Sequence, residues 1–236
     1  MDNLHIFFAL NDSYTSHYCV TMVSVLTNTP NRHCHFYLLT DYISEKNKRR
    51  FSRVEKQYAN CSIHYQLITE KIFDSFHRNI DYLVSPVSYY RYIIPELSPQ
   101  LDKALYLDGD LVVNGSLEKL WDTDITDYLC AGVHDLWIEN INYKPQIGFS
   151  SDELYINAGV LLLNIPKCGK KRYTKNYAKQ LSRWENRYNS KTKISSISCA
   201  VAESKSCPKG ITSRPRTPSS IPKKETGPSS FTTRGK

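Results

Sequence analysis

The stretch Lys103–Gly115, KALYLDGDLVVNG, decides how the chain is read. An apolar run, Ala104–Leu107, climbs into Asp108-Gly109-Asp110, and a second, Leu111–Val113, leaves it. Asp is depleted in strands, and two carboxylates one residue apart repel each other. Folding alone gives little reason for the pair, so a compensating positive group is required. If the backbone is still extended there, residues i and i+2 point to one face. Gly109 between them lets the backbone bend and leaves room for a ligand. Two hard oxygen donors on one face suit Mg²⁺ or Mn²⁺, which keep open positions for water or substrate phosphates. The competing reading is a surface turn between two strands, since a three-residue motif is weakly specific. The flanks KALYL and LVV are too apolar for a surface hairpin, which favours the ligand reading.

Outward from this stretch, strands and helices alternate. Leu4–Ala9 is a short apolar strand ending at Asn11-Asp12-Ser13. Tyr14–Thr29 carries Tyr18, Met22, Val25 and Leu26 at helical spacing and stops before Pro30. His35–Thr40 is a second strand, Ser44 caps a basic helix through Tyr58, and Ser62–Leu67 alternates as a third strand. The order β-α-β-α-β predicts an α/β fold with a mainly parallel sheet. Ala104–Leu107 is then a buried strand whose carboxyl end carries the Asp pair, where open α/β sheets bind ligands. Tyr89–Ile94 predicts a short helix ended by Pro95, Leu117–Trp121 one helical turn, and Leu129–Val133 a strand. Glu153–Lys167 reads as strand-turn-strand with Asn157-Ala158-Gly159 at its bend. Lys170–Tyr188 reads as a helix with Tyr173, Tyr177, Leu181, Trp184 and Tyr188 on one face.

The composition bounds the function. The 236 residues carry a net charge of +8, but residues 193–236 alone carry nine Lys/Arg against two Asp/Glu. Residues 1–192 are close to neutral, with 22 basic and 21 acidic side chains, which argues against a nucleic-acid partner. Seven scattered cysteines without a C-x-x-C argue against a zinc cluster or a disulfide framework and fit a reducing cytoplasm. The start MDNLHIFFAL has no basic n-region, and no apolar run is long enough for a membrane span, so a soluble protein is expected, with peripheral membrane attachment left open. From Lys193, 20 of 44 residues are Ser, Thr or Pro, which predicts a disordered tail. Residues 1–192 hold six glycines and no phosphate-cradling G-x-G-x-x-G or Walker loop; a diphosphate bound here would lack that cradle, and a metal held by the two Asp could neutralise it instead.

Four blocks in order carry a resemblance: FFALNDSY, SYYRYIIPEL, YLDGDLVVNGSLEKLWDTDI and IGFSSDELYINAGVLLLN. Together they make roughly residues 3–190 resemble the retaining glycosyltransferases of family 8, with the GT-A nucleotide-sugar fold. Within that family the chain resembles bacterial lipopolysaccharide and lipooligosaccharide galactosyl- and glucosyltransferases. The resemblance implies a catalytic domain over 1–192 followed by the basic tail 193–236. It implies Mn²⁺, with Mg²⁺ as a substitute, held by Asp108 and Asp110, and Asp108 also near the ribose. Ala9, Asn11 and Tyr14 match positions that contact the uridine, with Asn11 standing where relatives often have Asp. Arg91 matches an Arg that faces the diphosphate or sugar, and Asn157, Ala158 and Gly159 match the loop lining the sugar pocket. Gly109 completes the nucleotide-sugar set. The implied partners are a UDP-sugar donor, UDP-galactose or UDP-glucose, and a saccharide or lipid-linked saccharide acceptor.

The resemblance fails from about Lys193. Relatives carry an Asp-Gln-Asp block beside the reacting sugar carbon, and later a His-x-x-Gly-x-x-Lys-Pro-Trp whose His is a third metal ligand. This chain has no His after His134 and no Asp after Asp152. The expectation is therefore a transferase by lineage whose turnover in this form is weak or absent. The alternative is a non-catalytic remnant that binds a UDP-sugar or a partner. His134-Asp135 could line the acceptor cleft, although structural packing is the simpler reading, and Cys130 and Cys168 read as inert thiols.

Overall fold

The computed structural model describes residues 3–69, 86–135, 140–141, 144–147 and 155–170, and the backbone of 204–206. Seven strands form one sheet: β1 (Leu4–Ala9), β2 (Cys34–Thr40), β3 (Cys61–Leu67), β4 (Lys103–Leu107), β5 (Cys130–His134), β6 (Ile156–Asn164) and β7 (Ser204–Ser206). Their spatial order is β3-β2-β1-β4-β6-β5-β7. β3, β2, β1 and β4 are parallel neighbours, β6 runs antiparallel to both β4 and β5, and β7 is parallel to β5. Among the described strands β6 alone is reversed, so the mainly parallel sheet expected from the sequence is present. The reversal has a functional consequence, because the start of β6 meets the carboxyl end of β4.

Each face of the sheet buries one parity of side chains. Leu4, Ile6 and Phe8 of β1 pack with Tyr18, Met22, Val25 and Leu26 of helix α1 (Thr15–Asn28) and with Phe51 and Val54 of helix α2 (Glu45–Gln57). The apolar stripe of α1 keeps the helical period, and the Ser44 side chain caps α2 by accepting from the Asn47 N–H. Phe7, Ala9, Ala104 and Tyr106 face the other way, against Tyr89, Tyr90, Tyr92, Ile93 and Ile94.

Three sequence expectations change. Pro95 does not end a helix. A 3-10 helix over Pro86–Ile93 runs into a helical turn, α3 (Ile94–Leu97), with Pro95 in its first turn, where a missing N–H costs nothing. Asn157-Ala158-Gly159 is not a bend between strands. β6 is continuous from Ile156 to Asn164, and pairing of Leu107 with Val160 keeps it extended. The turn chemistry is absorbed as a bulge on the other side, where β5 steps from Gly132↔Leu161 to Val133↔Asn157. Finally, Ser204–Ser206, inside the segment expected to be disordered, pairs with β5, because backbone ladder bonds need no apolar side chains. Two further short helices are α4 (Glu118–Trp121) and α5 (Ile165–Lys170); the predicted helix beyond Lys170 and the rest of 193–236 lie outside the described residues. No disulfide joins any two of the five described cysteines, Cys130 and Cys168 among them, and no described helix is long and apolar enough to cross a membrane.

Candidate functional site

β4 ends at Leu107, and the chain turns at Gly109-Asp110. The two carboxylates therefore do not share one extended face. Asp108 stands at the strand end, while Asp110 lies past the turn and is exposed. Asp108 is firmly held. Its N–H donates to the Gly159 carbonyl at 2.8 Å, extending the β4–β6 ladder by one residue. Its Oδ1 accepts from the Tyr106 hydroxyl at 2.6 Å and lies 3.3 Å from Nη2 of Arg91. Tyr106 reaches it because residues two apart at a strand end share a face. Burial pushes the Tyr106 phenol well up, so it keeps its proton and acts as the donor.

Arg91 is the positive group that the Asp pair demands. It is 6% exposed, with Nη1 donating to the Ala158 carbonyl at 2.5 Å and Nε to the Ser88 carbonyl at 2.7 Å. Its guanidinium carbon lies 4.6 Å from the centre of the Tyr106 ring. A buried cation with several partners is stable only while those partners remain. Burial disfavours its charge, but Tyr106 and Asp108 more than reverse this and raise its pKa above the ordinary value.

Gly159 sits against the other oxygen of Asp108. A Cβ there would fall 2.7 Å from Asp108 Oδ2 and 3.0 Å from Asn157 Oδ1. The Asn157 side chain accepts from the Gly159 N–H at 2.8 Å and donates to Asp135 Oδ2 at 3.3 Å. Asp135 in turn donates from its N–H to the Tyr155 carbonyl. Arg91, Asp108, Asn157, Ala158 and Gly159 thus form one cluster where β4 ends and β6 begins.

Ala9, Asn11 and Tyr14 lie at the carboxyl end of β1. The Ala9 carbonyl accepts from the Tyr18 hydroxyl. Asn11 Oδ1 accepts from Ser13 Oγ at 2.7 Å and from the Tyr14 N–H at 3.2 Å, closing the turn Asp12–Tyr14. Asp12 ties that turn to the start of α2, accepting from the Ser44 N–H on its carboxylate and from Asn47 on its carbonyl. Tyr14 is 54% exposed on the rim. Tyr18 links the two strand ends, because its ring also covers Gly109, where a Cβ would meet ring atoms at 2.5 Å. Thr21 reaches the carbonyls of Gly109 and Leu111 at 2.8 and 2.7 Å, Ser24 accepts from the Val113 N–H, and Asn28 donates to the Val113 carbonyl. One polar seam of α1, spaced at helical period, therefore holds the segment after the Asp pair.

The arrangement fits a hard cation. Asp108 Oδ2 and the whole Asp110 carboxylate have no hydrogen-bond or ion-pair partner among the described residues, and glycines flank both. Among the described residues no group of three or more His, Cys, Asp or Glu is arranged around a metal. Two carboxylates with otherwise open positions are what a phosphate-bridging Mg²⁺ or Mn²⁺ requires of the protein.

The model of the family described as glycosyl transferase family 8 matches residues 5–199. The chain belongs to that family. Among its relatives, a Haemophilus influenzae protein assigned as a glycosyltransferase is 32% identical over 188 residues, covering 79% of this chain and 54% of its own. The lipopolysaccharide 1,3-galactosyltransferase of Salmonella typhimurium is 28% identical over 172 residues, covering 70% and 49%. The chain thus spans about half the length of these curated relatives. The galactosyltransferase LgtC, solved with donor and acceptor sugar analogs, superposes with a TM-score of 0.66 at 32% identity, over 81% of this chain and 67% of that one. The architecture is accordingly the GT-A fold. Sequence reasoning missed Tyr18, Thr21 and Tyr106. The signal for Tyr106 was present, two residues before Asp108 on the same strand face. Tyr18 sits in the buried stripe of α1 and reads as core, and Thr21, buried on the same helix, carries no signal of its own in the sequence.

Proposed function

We propose that this family 8 chain binds a UDP-hexose, UDP-galactose or UDP-glucose, and transfers the sugar with retention to a saccharide of lipopolysaccharide or lipooligosaccharide. The observation that carries the reading is the Asp108 cluster: one carboxylate fixed by Tyr106, Arg91 and Gly159, and a second, Asp110, unengaged across a glycine turn. Asp108 and Asp110 would hold Mn²⁺ or Mg²⁺, which when bound neutralises the diphosphate as it becomes the leaving group. Ala9, Asn11 and Tyr14 would take the uridine, with the exposed Tyr14 ring available for stacking. Asn157, Ala158 and Gly159 would line the hexose. Arg91 spends its donors on Ser88, Ala158 and Asp108, so on this reading it meets the donor's charge mainly through Asp108. The names of relatives that act on lipopolysaccharide support the acceptor class. A cytoplasmic location, at or near the inner face of the membrane, follows from that acceptor.

A second reading is a donor-binding chain without turnover. It is favoured by the described residues, which bring two carboxylates to the strand end but no group of three or more His, Cys, Asp or Glu that could hold a metal. A metal held by fewer protein ligands gives the leaving diphosphate less stabilisation. Release of UDP from UDP-galactose and UDP-glucose, with Mn²⁺ and a lipooligosaccharide acceptor, separates the two. Acceptor-dependent UDP release establishes transfer. Donor binding without release establishes the second reading, and binding of neither donor refutes both.

A further inference from the structure

We infer that Tyr106 is the positioning residue of the donor site, holding Asp108 so that a single oxygen, Oδ2, is offered to the ligand. The inference rests on the donor-site reading above and adds a device to it. The Asp108 side chain is 35% exposed, so burial alone does not fix its rotamer. What fixes it is Oδ1, occupied by the Tyr106 hydroxyl at 2.6 Å and by Arg91 at 3.3 Å. Oδ2 lies against Gly159, with no donor among the described residues and no room for a side chain beside it.

Tyr106 is itself immobile. It is 1% exposed in the core, and the Arg91 guanidinium covers its ring. Arg91 is anchored in turn on the Ser88 and Ala158 carbonyls. The ring of Tyr106 fills a core position that Phe would fill equally well. The hydroxyl is the part that packing does not require, and its one hydrogen bond goes to Asp108. A donor to a charged acceptor is strong and directional, which suits a group that sets the angle of a ligand carboxylate.

Tyr106→Phe isolates the hydroxyl. Two measurements on the full chain decide the matter: crystal structures of the ligand-free wild type and variant, and calorimetric titration of UDP with Mn²⁺ into each. Thermal melts check that the variant remains folded. The expected result is Asp108 turned away from its wild-type position, and UDP–Mn²⁺ affinity lowered roughly 10- to 100-fold with little change in Tm. An Asp108 that stays in place, or an affinity within twofold of the wild type, overturns the inference. If the wild type binds no UDP at all, the donor-site reading fails instead, and the crystal comparison alone decides whether Tyr106 positions Asp108.

Discussion

Replacing Gly109 by Ala tests the junction between β1 and β4 without reference to any ligand. A Cβ on Gly109 would stand 2.5 Å from Cε2 and Cζ of Tyr18 and 2.7 Å from Cδ2. The backbone there is not left-handed, so the constraint is contact and not φ. The ring has nowhere to go. Tyr18 is 6% exposed, its hydroxyl is bonded to the Ala9 carbonyl, and its ring packs at a tilt against Phe8 with ring centres 5.1 Å apart. Overpacking of this kind costs about 1–3 kcal/mol. In a chain of this size each kcal/mol moves Tm by about 2–4 °C, so Gly109→Ala should melt some 2–12 °C lower, read by circular dichroism. Gly115→Ala is the matched control, because nothing lies within 4 Å of its Cβ; its effect should stay within about 0.5 kcal/mol. The clash belongs to the Tyr18 ring, so in a Tyr18→Leu background the cost of Gly109→Ala should fall below about 0.5 kcal/mol, a coupling that a double-mutant cycle measures. Equal costs in the two backgrounds would refute the contact and the link it makes between the strand ends.

Gly159→Ala should act on the site more than on the fold. Its Cβ would press on Asp108 Oδ2 at 2.7 Å, and Asp108 can yield only by loosening its bonds to Tyr106 and Arg91. Losing one charge-assisted bond, about 1.5–3 kcal/mol, should weaken UDP–Mn²⁺ binding roughly 10- to 100-fold by calorimetry; wild-type affinity would contradict it. A second prediction concerns four histidines at the opposite end of the sheet. Burial, then His33, His5 and His64 around it, lower the His35 pKa from 6.5 to about 4, with His5 stacked at 5.2 Å and His64 Nε2 3.2 Å from its Nδ1. The folded state thus resists a proton that the unfolded chain accepts, so stability is full above about pH 6.5 and declines as pH falls towards 4. His35→Gln should flatten that decline in urea midpoints taken from pH 7 to 4; parallel slopes would contradict the assignment.

The fold was legible where one period dominated. β1, α1, β2, α2 and β3 emerge within a residue or two of their observed ends, because the strands alternate or run apolar, α1 keeps the helical period, and Ser44 supplies a cap. The Asp pair was legible because an apolar strand ended on it. Asn157–Gly159 was misread because Asn and Gly carry turn chemistry, whereas the ladder to β4 is a long-range fact that overrides it. Pro95 was misread because a proline that blocks one helix also suits the first turn of the next. The hydroxyls of Tyr18 and Tyr106 were hidden for a different reason. An aromatic in an apolar pattern predicts packing, and its polar end finds a partner that only the tertiary structure reveals. Arg91 was found through family resemblance alone, since its partners lie 17 and 67 residues away as well as nearby at Ser88.

The central claim is that Asp108 and Asp110 hold a metal and, through it, a nucleotide diphosphate. Calorimetric titration of UDP into the full chain, with and without Mn²⁺, tests it directly, with Asp108→Asn/Asp110→Asn as the comparison. The expected result is Mn²⁺-dependent binding in the wild type that the double variant loses while retaining its Tm. Binding that is indifferent to Mn²⁺, or that survives in the double variant, would contradict the claim.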